Sequence, residues 1–169
     1  MTEPHTVRVW LSLGSNIEPH RHIPLALKDL EREFGTLVVS PVYESEAVGF
    51  SGDNFLNLVV GLMTGLPAGD LTERLRGIET RHGRKRDAKG FNSRTLDIDL
   101  LTYADQIIDT ETLELPRGEI LEYAFVLLPL ADVAGDEVHP VSGLTYRELW
   151  DGFDGSAQNL WQVALSEEG

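Results

Sequence analysis

Residues 81–103 read RHGRKRDAKGFNSRTLDIDLLTY, a cluster of basic side chains followed directly by an apolar, strand-like run. The first fourteen of them hold six of the chain's fourteen Lys and Arg residues and a single acid, a net charge of +5. The whole chain carries −14, so the remainder carries −19. Inside the apolar run, Asp97 and Asp99 stand two positions apart. This segment therefore predicts a cationic loop that leads into a strand bearing two acidic side chains.

Outward from this strand, hydrophobic periodicity predicts an α+β fold. Runs of alternating or β-branched apolar residues predict strands at 7–13, 36–43, 55–64 and 95–103. Apolar residues at helical spacing, each set followed by a glycine, predict two helices between them. Those residues are Ile23, Leu27, Leu30 and Phe34 before Gly35, and Leu71, Leu75 and Ile78 before Gly83, with Pro67 opening the second helix. The order β-α-β-β-α-β predicts a ferredoxin-like sandwich, an antiparallel sheet with helices packed on it.

The connecting segments are less regular. Residues 14–16, Gly-Ser-Asn, are predicted to end the first strand as a turn, and residues 46–54 to form a mobile loop. Residues 105–106 are predicted to turn the chain in a hairpin into Ile107 and Ile108. A partly helical stretch is predicted over 119–134, with Pro129 forcing a break or a restart. The tail from His139 is expected to add C-terminal structure to the sandwich.

Composition limits the classes of protein to which the chain belongs. A length of 169 residues predicts one domain over 1–169. The chain has no cysteine, no apolar run long enough to cross a membrane and a polar start without signal-peptide character. We therefore expect a cytoplasmic protein, and we expect it to be a monomer. A sequence pI near 4.6 argues against a nucleic-acid partner.

The two aspartates predict a metal site. Residues i and i+2 of a strand share one face, so Asp97 and Asp99 would project together, roughly 6–7 Å apart at the backbone. Leu96, Ile98 and Leu100 would then face the core. Paired carboxylates suit hard cations, and two Mg²⁺ ions fit between them and a polyphosphate. The alternative is a solvated strand face, which the adjacent basic loop makes less favourable.

The basic loop predicts polyphosphate binding. Arg84, Arg86 and Arg94 can contact phosphate oxygens bidentately, although a solvated charged loop is the alternative for any one of them. Gly83 and Gly90 would let the loop close over a ligand. The chain contains no G-x-x-x-x-G-K-[ST] motif, which excludes a P-loop. Side chains and metal would have to hold the phosphate instead.

Several motifs together resemble one family, the 6-hydroxymethyl-7,8-dihydropterin pyrophosphokinases of folate biosynthesis. The matching motifs are LSLGSN at 11–16, NFLN at 54–57, GR at 83–84, RTLDIDLL at 94–101, AFVLLPL at 124–130 and VHP at 138–140. They occur in the family's order and cover roughly residues 7–140. The resemblance implies a ferredoxin-like fold, ATP as co-substrate and two Mg²⁺ ions. It also implies transfer of diphosphate from ATP to the pterin hydroxymethyl group, with release of AMP.

The resemblance also implies roles for individual residues. Asp97 and Asp99 would hold both magnesium ions. Arg84 and Arg94 would act with them in catalysis and, together with Arg86, would contact the nucleotide phosphates. The pterin would be bound by four residues: Asn57 at its edge, the rings of Phe55 and Phe125 on its two faces, and Phe91 capping the site from the loop.

Two positions depart from the family pattern. Arg117 stands where the family has a histidine, and Tyr123 where it has an arginine, both on the nucleotide-phosphate side. The turn with Glu46 departs as well. These differences leave a second hypothesis open, a diverged paralogue that diphosphorylates a related heterocyclic alcohol. A non-catalytic ferredoxin-like binding module is a third, disfavoured because binding alone would not need the full set of charged residues.

Overall fold

The computed structural model describes residues 5–46, 53–83, 95–155 and 158–165. A short 3₁₀ helix, Gly118–Leu121, precedes the third α-helix. In chain order the elements are β1 Val7–Ser15, α1 Pro19–Phe34, β2 Val38–Val39, β3 Val42–Ser45, β4 Phe55–Thr64, α2 Ala68–Arg81, β5 Asp97–Tyr103, β6 Ile108–Asp109, β7 Glu114–Leu115, α3 Ala124–Ala134, α4 Tyr146–Asp151 and β8 Leu160–Val163.

One antiparallel sheet organises the molecule. Its order is β5-β1-β4-β3-β8, with β2 pairing β4 beside β3. The four strands predicted from periodicity therefore lie in the order fourth, first, third, second, and the ferredoxin-like prediction is confirmed. The central strand β1 pairs with β4 over its whole length and with β5 from Val9 to Gly14. The C-terminal strand β8 extends the sheet beyond β3, as the expectation of C-terminal additions required.

Apolar side chains fill both faces of the sheet, because alternate residues of each strand point to opposite sides. On one face, Leu11 and Leu13 of β1 pack with buried residues of α1 and α2 in the larger cluster. On the other, Trp10 packs with Val59, Leu101 and the buried residues of α3 and α4. The face of the sheet that α3 covers extends past that cluster toward the C-terminal end of β1. The candidate site lies there.

Two strand predictions need correction. β1 continues through Gly14 and Ser15, which were predicted to form a turn, because both residues pair with β4. The predicted strand 36–43 is broken into β2 and β3. At the break, Ser40 Oγ accepts a hydrogen bond from the backbone N–H of Val59 (2.8 Å) and Pro41 follows without an N–H of its own.

Two further predictions are wrong. Residues 104–105 do turn, but the chain does not return along β5; Ile108 and Asp109 pair instead with β7 in a separate two-stranded sheet. Pro129 does not interrupt α3, although it is the sixth of the helix's eleven residues. It is buried, and the helix continues despite the one backbone hydrogen bond that a proline cannot donate. The irregular point is Tyr123, the N-cap between the 3₁₀ helix and α3. Among the described residues, no helix is long and apolar enough to span a membrane.

Candidate functional site

The candidate site is built around Gly14, near the end of the central strand. Gly14 pairs with Asn57 of β4 on one side and with Asp97 of β5 on the other. Directly paired residues of neighbouring strands project to the same face. Since Gly14 has no side chain, a shallow floor separates the amide of Asn57 from the carboxylate of Asp97.

Asp97 and Asp99 lie on one face of β5, as their spacing predicts. Both are half-buried, whereas Leu96, Ile98 and Leu100 are buried in the core on the opposite face. The backbone between the two aspartates is fixed from α2, because the Ile98 N–H donates to Glu79 Oε2 at 2.7 Å. Glu79 itself is fully buried. The two carboxylates therefore stand on a segment held from behind by a buried acceptor.

The electrostatics of the pair favour a bound cation. Burial, and then the adjacent charge of Asp97, raise the pKa of Asp99 to about 7, with a smaller contribution from Glu119. Arg117 acts in the opposite direction. A carboxylate that is costly to ionise beside a second carboxylate gains from a positive ligand, which replaces the lost water and offsets the repulsion.

The donor chemistry fits magnesium. Among the described residues, no group of three or more His, Cys, Asp or Glu side chains is arranged to hold a metal. Asp97 and Asp99 are two oxygen donors, and Mg²⁺ in phosphoryl-transfer sites is held by one or two carboxylates together with substrate phosphates and water. A pair of carboxylates is therefore sufficient protein ligation for this type of site.

Arg117 contacts Asp99 from the segment after β7. Its backbone N–H donates to the carbonyl of Leu101 on β5 at 2.9 Å, which anchors the residue beside that strand. Its Nη2 lies 3.5 Å from Asp99 Oδ1 and 3.0 Å from Glu119 Oε1. Its Nε also donates to Glu119 Oε1, at 3.1 Å. A groove of about 420 Å³ opens beside it, lined by residues 109–114, 117–119 and 122.

Asn57 lies on the far side of Gly14. It is 4 % exposed, and its Nδ2 donates to Ser45 Oγ of β3 at 2.8 Å. A Cβ at Gly14 would stand 3.1 Å from Asn57 Oδ1, tighter than nine in ten real Cβ contacts. The amide is thus fixed in orientation by Ser45 and has room only because residue 14 is glycine. A buried amide of fixed orientation suits recognition of a planar heterocycle edge.

The two predicted stacking rings occupy different elements. Phe55, half-buried, begins β4 and lies on the same face as Asn57; its Cδ1 is 3.8 Å from the Cβ position of Gly14. Phe125 lies in the first turn of α3 and is stacked on Tyr123, with ring centroids 4.9 Å apart and planes at 22°. Phe55, Asn57, Asp97 and Asp99 are therefore grouped near Gly14, and Phe125 forms an aromatic pair with Tyr123.

The remaining predicted residues, Arg84, Arg86, Phe91 and Arg94, lie outside the described residues. Three contacting residues were missed by sequence reasoning: Glu79, Ser45 and Glu119. For Glu79 a signal existed, because it follows Leu71 and Leu75 at four-residue spacing and so falls on the apolar stripe of α2. Ser45 carries no such signal, since its contact with Asn57 depends on the pairing of β3 with β4. Glu119 lies only two residues from Arg117, but no hydrophobic pattern marks that contact.

Similarity to known proteins agrees with the motifs. Residues 10–135 match the family model described as 7,8-dihydro-6-hydroxymethylpterin-pyrophosphokinase (HPPK). The chain is 41% identical over 133 residues to a 2-amino-4-hydroxy-6-hydroxymethyldihydropteridine pyrophosphokinase of Pseudomonas aeruginosa, covering 76% of this chain and 82% of that protein. A protein of the same description from Aquifex aeolicus is 35% identical over 143 residues, covering 83% and 89% respectively.

Solved structures agree on the fold. The wild-type HPPK-DHPS protein of Plasmodium falciparum superposes with a TM-score of 0.69 at 16% identity, over 88% of this chain and 41% of that one. The chain therefore spans less than half the length of that protein. At this level of identity the likeness concerns the fold alone.

Proposed function

The chain belongs to the 7,8-dihydro-6-hydroxymethylpterin-pyrophosphokinase family, and we propose that Asp97 and Asp99 on β5 are the centre of its reaction. The protein transfers diphosphate from ATP to the hydroxymethyl group of 6-hydroxymethyl-7,8-dihydropterin, a step of folate synthesis. The observation that carries the placement is the carboxylate pair on one face of β5, with the pKa of Asp99 raised to about 7 beside Asp97.

Asp97 and Asp99 would hold the two Mg²⁺ ions that accompany the nucleotide. Bound there, magnesium would offset the negative charge of the ATP phosphates during diphosphate transfer. The protein's own part is to fix the carboxylates, which Glu79 supports by holding the Ile98 N–H. The groove beside Arg117 is of a size to receive the nucleotide, with acidic side chains available to accept hydrogen bonds from ribose hydroxyls.

The pterin would lie on the Gly14 side. Asn57, oriented by Ser45, would hydrogen-bond its edge, and Phe55 and Phe125 would cover its faces, with Phe91 closing the site. The substrate hydroxyl oxygen would attack the β-phosphorus in line. The bond from that phosphorus to the α,β-bridging oxygen would break, AMP would leave with the oxygen, and the hydroxyl proton would be released to solvent. Arg84 and Arg94, with Arg86 on the nucleotide, would offset the charge that develops on the phosphates.

The departures at Arg117 and Tyr123 do not favour the paralogue hypothesis, since relatives at 35–41% identity are described as the pyrophosphokinase. Arg117 instead keeps a positive charge next to Asp99. We further propose that the protein works in the cytoplasm, which the cysteine-free composition supports, and without nucleic acid, which the net charge of −14 supports. A monomer without a membrane partner stays a prediction.

A phosphorus NMR assay tests the proposal. Purified protein is mixed with ATP, Mg²⁺ and 6-hydroxymethyl-7,8-dihydropterin, and products are followed over time. We expect AMP and a pterin diphosphate in equal amounts, with neither formed when the pterin is omitted. ADP with a pterin monophosphate would contradict diphosphate transfer, and pterin-independent AMP would contradict the assigned acceptor.

A further inference from the structure

We propose that Arg117 is an internal counter-ion of the metal site, which pairs with Asp99 when magnesium is absent and is displaced toward the nucleotide when magnesium binds. Glu119 would hold the guanidinium during this exchange. Arg117 and Glu119 are thus positioning residues, acting through Asp99 on the affinity for the metal. The inference rests on the proposed role of Asp99 as a magnesium ligand.

The first support is the anchoring of Arg117. Its backbone donates to Leu101 O on the same strand as the aspartates, so the side chain starts from a fixed point beside β5. The guanidinium is only partly covered, with 35 % of the Arg117 side chain and 24 % of the Asp99 side chain exposed. At 3.5 Å and partly open to solvent, this pair can exchange with a competing cation, whereas separating a fully buried pair would leave an uncompensated buried charge.

The second support is that Arg117 is held more closely by Glu119 than by Asp99. Glu119 Oε1 receives both Nε at 3.1 Å and Nη2 at 3.0 Å, whereas Asp99 Oδ1 lies 3.5 Å from Nη2. Arg117 can therefore leave Asp99 without leaving Glu119. The bond to Glu119 keeps the displaced charge at the groove that Arg117 and Glu119 both line.

Competition for Asp99 follows from these contacts. A guanidinium and a divalent cation that approach the same carboxylate oxygen compete for it, and their positive charges repel each other. In the metal-free protein Arg117 offsets part of the charge of Asp99; in the loaded protein that role passes to the metal. The sign is distinctive, because removing Arg117 should make metal binding tighter.

Titration of the nucleotide-free protein with Mg²⁺ alone, by calorimetry, measures this competition. Titration with Mn²⁺, followed by water proton relaxation, extends the measurement to weaker sites. We expect Arg117→Gln to raise metal affinity about three- to tenfold. The matched control is Arg21→Gln, which also removes one positive charge. Arg21, in the first turn of α1, likewise stands 3.5 Å from a carboxylate oxygen, that of Glu18. Asp99→Asn identifies the signal, since it should abolish the measured binding.

Glu119 provides the second arm. Glu119→Gln should change metal affinity in the wild-type background and change it less in the Arg117→Gln background, because Glu119 acts partly through Arg117. If Arg117→Gln is poorly folded, Arg117→Lys replaces it. Lysine keeps the charge but loses one of the two hydrogen bonds to Glu119, so metal affinity should lie between that of the wild type and that expected for Arg117→Gln.

Unchanged or weaker metal binding in Arg117→Gln would overturn the proposal, as would the absence of Asp99-dependent metal binding in the wild type. Equal effects of Glu119→Gln in both backgrounds would overturn the part assigned to Glu119. These titrations contain neither ATP nor pterin. Failure of the counter-ion proposal is therefore distinguishable from failure of the diphosphate transfer, which the NMR assay reports separately.

Discussion

Asn57 and Asp97 lie on opposite sides of the same glycine, because Gly14 of the central strand pairs with both of them. Two strand spacings separate their backbones, roughly 10 Å, which is about the span of a pterin ring and its hydroxymethyl arm. A heterocycle recognised at the amide would thus direct its reactive arm toward the carboxylates. The register of β1 with β4 and β5 therefore brings the two halves of the site together, and Gly14 forms the floor between them.

Replacing Gly14 with alanine tests this arrangement. The added Cβ would stand 3.1 Å from Asn57 Oδ1, so the amide must move by a few tenths of an ångström or turn. We expect pterin affinity to fall at least about fivefold, equivalent to roughly 1 kcal/mol, with ATP affinity unchanged, both measured by calorimetry. The control is Gly69→Ala on α2, where nothing lies within 4 Å of the new Cβ. Equal pterin affinity in the two variants would contradict the assigned floor.

Asn57→Ala separates the two substrate sites. Loss of the amide removes the hydrogen bonds proposed for the pterin edge and leaves the Ser45 hydroxyl without its donor. We expect pterin binding to weaken by about tenfold or more, since an unmade buried hydrogen bond costs about 1–3 kcal/mol. ATP binding should change far less. Asn159→Ala, at an exposed position, serves as the control, and parallel losses for both substrates would refute this map of the site.

Glu79 links the stability of the fold to the geometry of the metal site. Glu79→Ala removes the acceptor for the Ile98 N–H, which lies between the two aspartates. We expect the free energy of unfolding to fall by about 2–3 kcal/mol, because the buried donor loses its partner. Turnover at saturating substrates should fall at least about tenfold through misplacement of the carboxylates.

Urea denaturation and steady-state kinetics measure these two quantities. Glu73→Ala, an exposed glutamate on the same helix, is the matched control. A destabilised Glu79→Ala protein with normal turnover would show that Glu79 supports the fold without positioning Asp97 and Asp99.

Much of this architecture could be predicted from the sequence. Alternation in 95–103 placed Asp97 and Asp99 on one face and Ile98 in the core, because a strand's two-residue period leaves no other arrangement once one face is buried. Gly35 and Gly83 were recognised as helix ends and have the positive φ values, 87° and 81°, that favour glycine there.

Other features were beyond local patterns. The extension of β1 through Gly14 and Ser15 depends on their pairing with β4, which outweighs the turn propensity of Gly-Ser-Asn. The contact of Arg117 with Asp99 depends on a backbone bond between segments sixteen residues apart, Arg117 N–H to Leu101 O. Sequence reasoning could flag Arg117 as a departure but could not place its guanidinium.

The raised pKa of Asp99 predicts a pH-dependent stability in the metal-free protein. A carboxyl whose pKa rises to about 7 on folding, mainly through burial, contributes stability below its unfolded pKa of 3.8. That contribution is lost as pH rises through about 7. In EDTA, we therefore expect Asp99→Asn to have a higher Tm than the wild type. This difference in Tm should be about 2–4 °C larger at about pH 8 than at about pH 5.

Thermal melts monitored by circular dichroism measure this difference, with Asp105→Asn, an exposed carboxyl in the turn after β5, as the control. Added Mg²⁺ should stabilise the wild type more at the higher pH, because it binds the ionised carboxylate. A Tm difference between Asp99→Asn and wild type that is the same at both pH values would contradict the assigned environment.

The most direct test of the carboxylate site is the rate of pterin-dependent AMP formation in Asp97→Asn and Asp99→Asn at saturating ATP, pterin and Mg²⁺. Each change keeps the side-chain shape and removes one charged metal ligand. We predict that turnover falls by at least about a thousandfold, or some 4 kcal/mol of transition-state stabilisation, while circular dichroism and pterin affinity stay close to wild type. Turnover within about threefold of wild type in either variant would contradict the placement of the reaction at the end of β5.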